Sequence, residues 1–271
     1  MYLSCLLIDV GEDPDRPRPG RLWLRNLYRV HQRLCMAFPS ATRKSEDSDF
    51  LQPFKPEDFA AKQVHVERGT DAGFLFRIDP QLHSRVMVLV QSAIEPDWDY
   101  AFHNARHFLA GPPQTKPFNP EFRQGMRLRF RLLANPVRKV SARSVGDDGE
   151  PVDKKWIGKE VPVPTGGLAR WLERRAEPAW SAPRNSKQPP PGFGLFDIEG
   201  QIDKRNKLQI VAGYVYINHG HGNTNTGRRL RSARYEGALE VTDPARFRET
   251  VLTGIGHGKA FGFGLLSLAK V

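Results

Sequence analysis

The chain has 271 residues, enough for one large domain or two of ordinary size, and its 41 Lys/Arg against 30 Asp/Glu leave a net charge of +11. No uninterrupted apolar stretch approaches the ~18 residues of a membrane span, and the opening residues carry no signal-peptide pattern. A cytoplasmic protein with no membrane partner is therefore expected. Its cysteines, Cys5 and Cys35, lie in apolar surroundings and read as reduced packing residues without zinc-site spacing.

In chain order, "YLSCLLIDV" (2–10) has the apolar, β-compatible run of a strand. The Pro-rich, charged stretch 11–20 reads as a loop. Asn26 is placed to cap a helix running to about Phe38, with Leu27, Val30, His31, Leu34 and Phe38 on one buried face. Residues 39–72 read as a polar insertion with a short helix near 56–62, and "GFLFRID" and "SRVMVLVQSAI" as two strands. The pattern weakens over 95–120, where Pro112, Pro113, Pro117 and Pro120 cluster. That cluster predicts a domain boundary, with an N-terminal domain over 1–117 and a C-terminal domain over 118–271.

"GMRLRFRLLANPV" alternates, with Arg127, Arg129 and Arg131 on one face and Met126, Leu128, Phe130 and Leu132 on the other. "GGLARWLERRAEPAW" predicts a helix with Leu168, Trp171 and Leu172 inward and Arg170, Arg174 and Arg175 outward. A loop over 180–194 precedes "KLQIVAGYVYI" and "RYEGALEVTD", which flank a Gly/Asn-rich tip as a hairpin. A helix from about Pro244 to Leu252 leads through a glycine loop into a last strand, "GLLSLAKV". Each half approximates strand, helix, two strands, helix or helical remnant, strand. The predicted fold class is α+β, as two tandem ferredoxin-like (RRM-like) βαββαβ domains.

Charge divides unevenly between the halves. Residues 1–120 hold 15 basic and 15 acidic side chains, whereas 121–271 hold 26 against 15. One half therefore supplies a polyanion-binding surface. No basic amphipathic helix with a bulky apolar face stands out, which favours nucleic acid over anionic lipid. The basic elements are the helix around Arg170, Arg174 and Arg175, the strand arginines 127, 129 and 131, and the segment "GRRLRSARYEG" with Arg228, Arg229, Arg231 and Arg234. A solvated charged face is the alternative for each. Arginine in such numbers favours bidentate phosphate contacts.

Tyr28 and His31 stand three residues apart on the first predicted helix, so their side chains share a face. They are either two large residues at the edge of a core stripe or an imidazole–phenol pair suited to proton transfer and charge stabilisation. His103 and His107 lack a third ligand at metal spacing, and His219 and His221 fall on the predicted tip, so no metal and no cofactor are expected. "GIGHGKAFGFGLLSL" (254–268) holds five glycines and Lys259. Gly256, Gly258 and Lys259 fit neither a Walker A loop nor a dinucleotide fingerprint, which leaves a phosphate loop of another kind or a tight turn into the last strand.

Together these stretches resemble the CasE (Cse) family of CRISPR repeat-processing endoribonucleases from type I-E systems. The resemblance rests on "GIGHGKAFGFGLLSLA", "MYLSCLLI", "NLYRVHQRL", "GMRLRFRLLANPVRK" and "LARWLERR", in the same order across both halves. The loop 11–20, the insertion 39–72 and the loop 178–193 depart from it. The resemblance implies two tandem ferredoxin-like domains and metal-independent cleavage of the stem-loop repeat in precursor CRISPR RNA. In that family the residues matching His31 and Tyr28 serve the chemistry: the 2′-hydroxyl attacks its own 3′-phosphate, leaving a 2′,3′-cyclic phosphate and a 5′-hydroxyl. It also implies retention of the product within Cascade, beside other Cascade subunits. Lys259 with Gly256 and Gly258, the helix and hairpin arginines, and Arg138 with Lys139 form the expected RNA-binding set. A non-catalytic RNA-binding subunit of the same fold, or a DNA-binding regulator, are the competing expectations.

Overall fold

The structure, a computed structural model, describes residues 1–13, 15, 18–49, 73–80, 84–141, 153–177, 191–196, 208–218 and 227–271. The short helix expected near 56–62, most of the loop 180–194 and the hairpin tip lie outside the described residues.

The first half begins with β1 (Tyr2–Asp9), α1 (Pro19–Leu24), α2 (Leu27–Cys35) and α3 (Ala41–Glu46). After these come β2 (Phe74–Pro80), β3 (Arg85–Ser92), α4 (Trp98–Ala101), a 3-10 turn (His103–Phe108) and β4 (Gln114–Pro117). The strands form an antiparallel sheet in the order β2-β3-β1-β4. Asn26 caps α2 as expected, its side chain accepting from the Arg29 amide at 3.2 Å. Val30, Leu34 and Phe38 pack with Leu6 and Ile8 of β1 and Phe76 of β2 into one apolar cluster. The helix α1 was not anticipated: Pro19, counted with the loop, sits at the helix start, where its fixed φ is preorganised and its missing N–H costs nothing. Within the expected insertion, α3 forms under a Ser40 cap.

The second half runs β5 (Arg127–Ala134), β6 (Val137–Lys139), β7 (Glu160–Pro162), α5 (Leu168–Glu173), β8 (Phe193–Phe196) and β9 (Gln209–Asn218). It closes with β10 (Gly227–Val241), α6 (Pro244–Thr253) and β11 (Leu266–Lys270). Its antiparallel sheet has the order β11-β5-β10-β8, and β9 pairs the part of β10 that β8 leaves open. Leu128, Phe130 and Leu132 of β5 pack with Trp171, Leu172, Tyr235, Leu239 and Phe247 into a second cluster. Two expectations change here. The helix α5 stops at Glu173 rather than running to residue 180. Pro178 disfavours helix at the residue before it, and Glu177 instead bridges Gly194. The strand β10 starts at Gly227, so "GRRLRSARYEG" is strand paired to β9.

Strand β2 is buried on both faces. Phe74 and Phe76 point into the first cluster, while Leu75 lies against Gly254 and Arg77 reaches β11 in the second half. Arg77 pairs with Asp79 at 2.7 Å and donates to Ser267 Oγ on β11 at 2.8 Å. Gln91 Nε2 of β3 donates to the Val251 carbonyl of α6 at 2.6 Å. These polar ties fix how the halves sit together. Among the described residues no helix is long and apolar enough to cross a membrane.

Candidate functional site

Both Tyr28 and His31 are half-buried on α2, beside the fully buried Val30 and Leu34. The His31 imidazole stacks on Phe74, and its Nε2 lies 3.6 Å from Cys35 Sγ, one helical turn on. The helix packs against the 3-10 turn Lys259–Phe261 of the glycine loop and against β9. The N-terminal helix pair and the C-terminal loop, far apart in sequence, thus share one place.

All five loop glycines have positive φ. At Gly254 (φ 73°) a Cβ would lie 2.7 Å from Leu75 Cδ1 and 2.8 Å from the Gly264 carbonyl, closer than a side chain tolerates. At Gly262 (φ 84°) it would lie 3.2 Å from the ring of Phe76. The glycines therefore let the loop close onto β2, a packing reason beside any phosphate contact. The loop is further tied by the Gly264 amide to the Leu133 carbonyl at 2.8 Å and by a bridge between His257 and Asn135. Asn135 belongs to the "ANP" stretch.

Lys259, at the turn, is half-buried, and burial pushes its ammonium below the usual lysine range. Among the described residues no carboxylate pairs with it. The turn that carries it packs against α2, the helix that carries Tyr28 and His31.

The basic residues divide once their neighbours are seen. Arg170 of α5, Arg174 just past its end, and Arg138 and Lys139 of β6 are exposed. Arg175, expected to point outward, instead folds over Trp171, its Cζ 3.7 Å from the ring centroid and its Nη1 donating to the Trp171 carbonyl at 2.9 Å. Burial, with a smaller push from the nearby Arg174 charge, holds its guanidinium down to about 10. The large apolar face of Trp171 draws the guanidinium inward. On β10, Arg229 is exposed above the Tyr214 ring at 4.2 Å, whereas Arg231 is buried and donates to Thr165 Oγ1 at 2.7 Å. The side chain of Arg228 and the residues His219 and His221 lie outside the described residues. Arg127 and Arg131, counted with the basic elements in the sequence, are set by cross-strand register on Glu240 and Glu236 at 3.0 and 2.9 Å.

Phe74 and Cys35 were missed as neighbours of His31. The i, i+4 spacing from His31 to Cys35 could have found the second; nothing local in the sequence signals the first.

A family model described as CRISPR associated protein matches residues 1–270. The CRISPR-associated endoribonuclease Cse3 of Thermus thermophilus is 32% identical over 228 residues, covering 82% of this chain and 92% of that protein. The CRISPR system Cascade subunit CasE of Escherichia coli (strain K12) is 28% identical over 275 residues, covering 100% of both. The structure of Thermus thermophilus Cse3 bound to an RNA representing a pre-cleavage complex superposes with a TM-score of 0.62 at 29% identity, covering 99% of this chain and 98% of that one. By sequence along nearly its whole length and by fold, the chain belongs to the CasE/Cse3 family of CRISPR-associated proteins.

Proposed function

We propose that this chain is an endoribonuclease that binds the stem-loop repeat of precursor CRISPR RNA, cuts it and stays with the product as a Cascade subunit. Its relatives' names and the RNA-bound structure of one of them support the substrate and the assembly. The observation that carries the chemistry is the packing of α2, with Tyr28 and His31, against the turn that holds Lys259.

The nucleophile is the RNA's own 2′-hydroxyl. It attacks the adjacent phosphorus, the bond to the 5′-oxygen breaks, and the products are a 2′,3′-cyclic phosphate and a 5′-hydroxyl. His31 moves a proton at one of the two oxygens, Tyr28 orients or stabilises charge, and the Lys259 ammonium offsets charge on the non-bridging oxygens. Because the substrate supplies its own nucleophile, no bound metal is given a role. Arg170, Arg174, Arg229, Arg138 and Lys139 hold the RNA backbone, which suits an A-form stem read by shape and phosphates.

Each half is a ferredoxin-like domain in this reading, over 1–117 and 118–271. The support is strand order: β2-β3-β1-β4 in the first sheet, and β11-β5-β10 with β8 and β9 together as the fourth position in the second. The chain works in the cytoplasm. Incubation with an end-labelled stem-loop tests the function. Cleavage with a cyclic phosphate supports it, binding without cleavage would make the protein a structural subunit, and preference for duplex DNA would overturn the reading.

A further inference from the structure

The stretch 153–159, which leads into β7, carries two exposed apolar side chains beside lysines. Trp156 is 44% exposed and Ile157 41%, and every residue from 153 to 160 is exposed. Among the described residues Lys154, Lys155 and Lys159, with Arg138 and Lys139 on β6, stand beside Asp153 and Glu160, while the sequence between β6 and this stretch adds Arg143, Asp147, Asp148 and Glu150 outside the described residues. Asp153 is taken up by Lys155 at 2.8 Å, and Glu160 lies 3.6 Å from His257 Nε2. The Lys159 ammonium sits 5.1 Å from the centroid of the Trp156 ring, which stays open to solvent with that contact made.

Residues 153–159 form a built turn. The Trp156 amide donates to Asp153 and the Lys159 amide to the Trp156 carbonyl, at 2.9 and 3.0 Å. Gly158, with φ 84°, donates to the Val140 carbonyl at 2.8 Å, tying the turn to the end of β6. A held aromatic ring flanked by the exposed Lys154 and Lys159 matches single-stranded nucleic acid, whose bases stack while its phosphates meet the cations. The same density of charge disfavours a protein partner, whose interface core is depleted in charge. Through Glu160 and His257 the element also abuts the glycine loop, so a strand leaving the candidate site has a short path to it.

We infer that Trp156 is a stacking platform for an unpaired RNA base flanking the stem-loop, with Lys154 and Lys159 on the neighbouring phosphates. The inference rests on the RNA reading above. Equilibrium binding tests it, using a stem-loop with a 2′-deoxy nucleotide at the cleavage site so that it stays whole. The RNA is compared blunt, with a 5′ unpaired flank, with a 3′ unpaired flank, and with each flank made abasic. One flank should tighten binding by about 5- to 150-fold. The abasic version should lose that gain. Trp156→Ala should abolish the gain and leave blunt affinity unchanged, and Trp156→Phe should keep part of it. The platform is overturned if neither flank tightens binding, if the abasic flank keeps the gain, or if Trp156→Ala weakens blunt and flanked RNA alike. No binding of the blunt stem-loop would overturn the RNA reading and the platform together.

Discussion

The His31 imidazole on α2 lies stacked on the Phe74 ring of β2, with centroids 5.5 Å apart and planes inclined by 24°. Phe74 in turn stacks on Phe38 at 5.4 Å and tilts against Phe76 at 6.3 Å, and Phe76 is the ring against which Gly262 closes. A run of aromatic contacts therefore links the candidate proton-transfer group to the glycine loop. Phe74→Leu keeps an apolar side chain but removes the flat surface that orients the imidazole. It should slow single-turnover cleavage by about 10- to 100-fold. Affinity for uncleavable RNA should hold within about twofold. A thermal melt separates this from the packing loss, and an unchanged rate would show that the ring does not orient His31.

Lys259 should hold a phosphate only while charged. Its ammonium pKa is lowered by burial, so free protein binds fewer protons here than the unfolded chain does between the folded and unfolded values. Folding stability from this group therefore rises with pH through that window, while its attraction for RNA falls. Affinity of the wild type for uncleavable stem-loop should weaken as pH climbs toward the ordinary lysine range. Lys259→Met should bind more weakly at neutral pH and lack that part of the pH dependence. Parallel pH profiles for both proteins would remove Lys259 from the site.

The arginines should separate by their partners. Arg127 and Arg131 each hold a glutamate across the strand pair, whereas Arg170 on α5 and Arg174 just past its end are exposed. Replacing Arg170 and Arg174 by Ala should flatten the slope of log K against log salt by roughly 0.7 to 0.9 per lost phosphate contact. Replacing Arg127 and Arg131 should leave the slope nearly unchanged. Equal effects from both pairs would mean that the strand face also binds RNA.

Gly254→Ala probes the closure of the loop on β2. The added methyl meets Leu75 and the Gly264 carbonyl at a backbone angle that L-residues rarely adopt. A loss of about 1–3 kcal/mol in unfolding free energy is expected, read from a denaturant melt. A wild-type midpoint would show that the loop relaxes without cost.

Local pattern made the strands and the capped helix legible. Asn26 and the spacing of Val30, Leu34 and Phe38 specify α2, and Asp243 with Pro244 specifies the start of α6. The glycines in the loop were legible as positions that need positive φ or close approach. What they approach was not, because Leu75 and Phe76 are brought there by docking of the two halves. The arginines misread for a related reason. Charge counts along a strand do not show that register sets Arg131 against Glu236, or that Trp171 draws Arg175 inward. Tyr28 and His31 were visible as a pair, but the packing of their helix against the Lys259 turn depends on contacts between residues more than two hundred apart.

Metal-free proton transfer by His31 is the central claim, and one measurement addresses it: single-turnover cleavage of a labelled stem-loop in excess EDTA by wild type and His31→Ala. The wild type should cut and leave a 2′,3′-cyclic phosphate. The variant, shown folded by circular dichroism, should be slower by about 10² to 10⁴ with nearly unchanged affinity for the RNA. A folded His31→Ala protein that cuts at the wild-type rate, or a wild type silenced by chelator and restored by magnesium, would contradict the account.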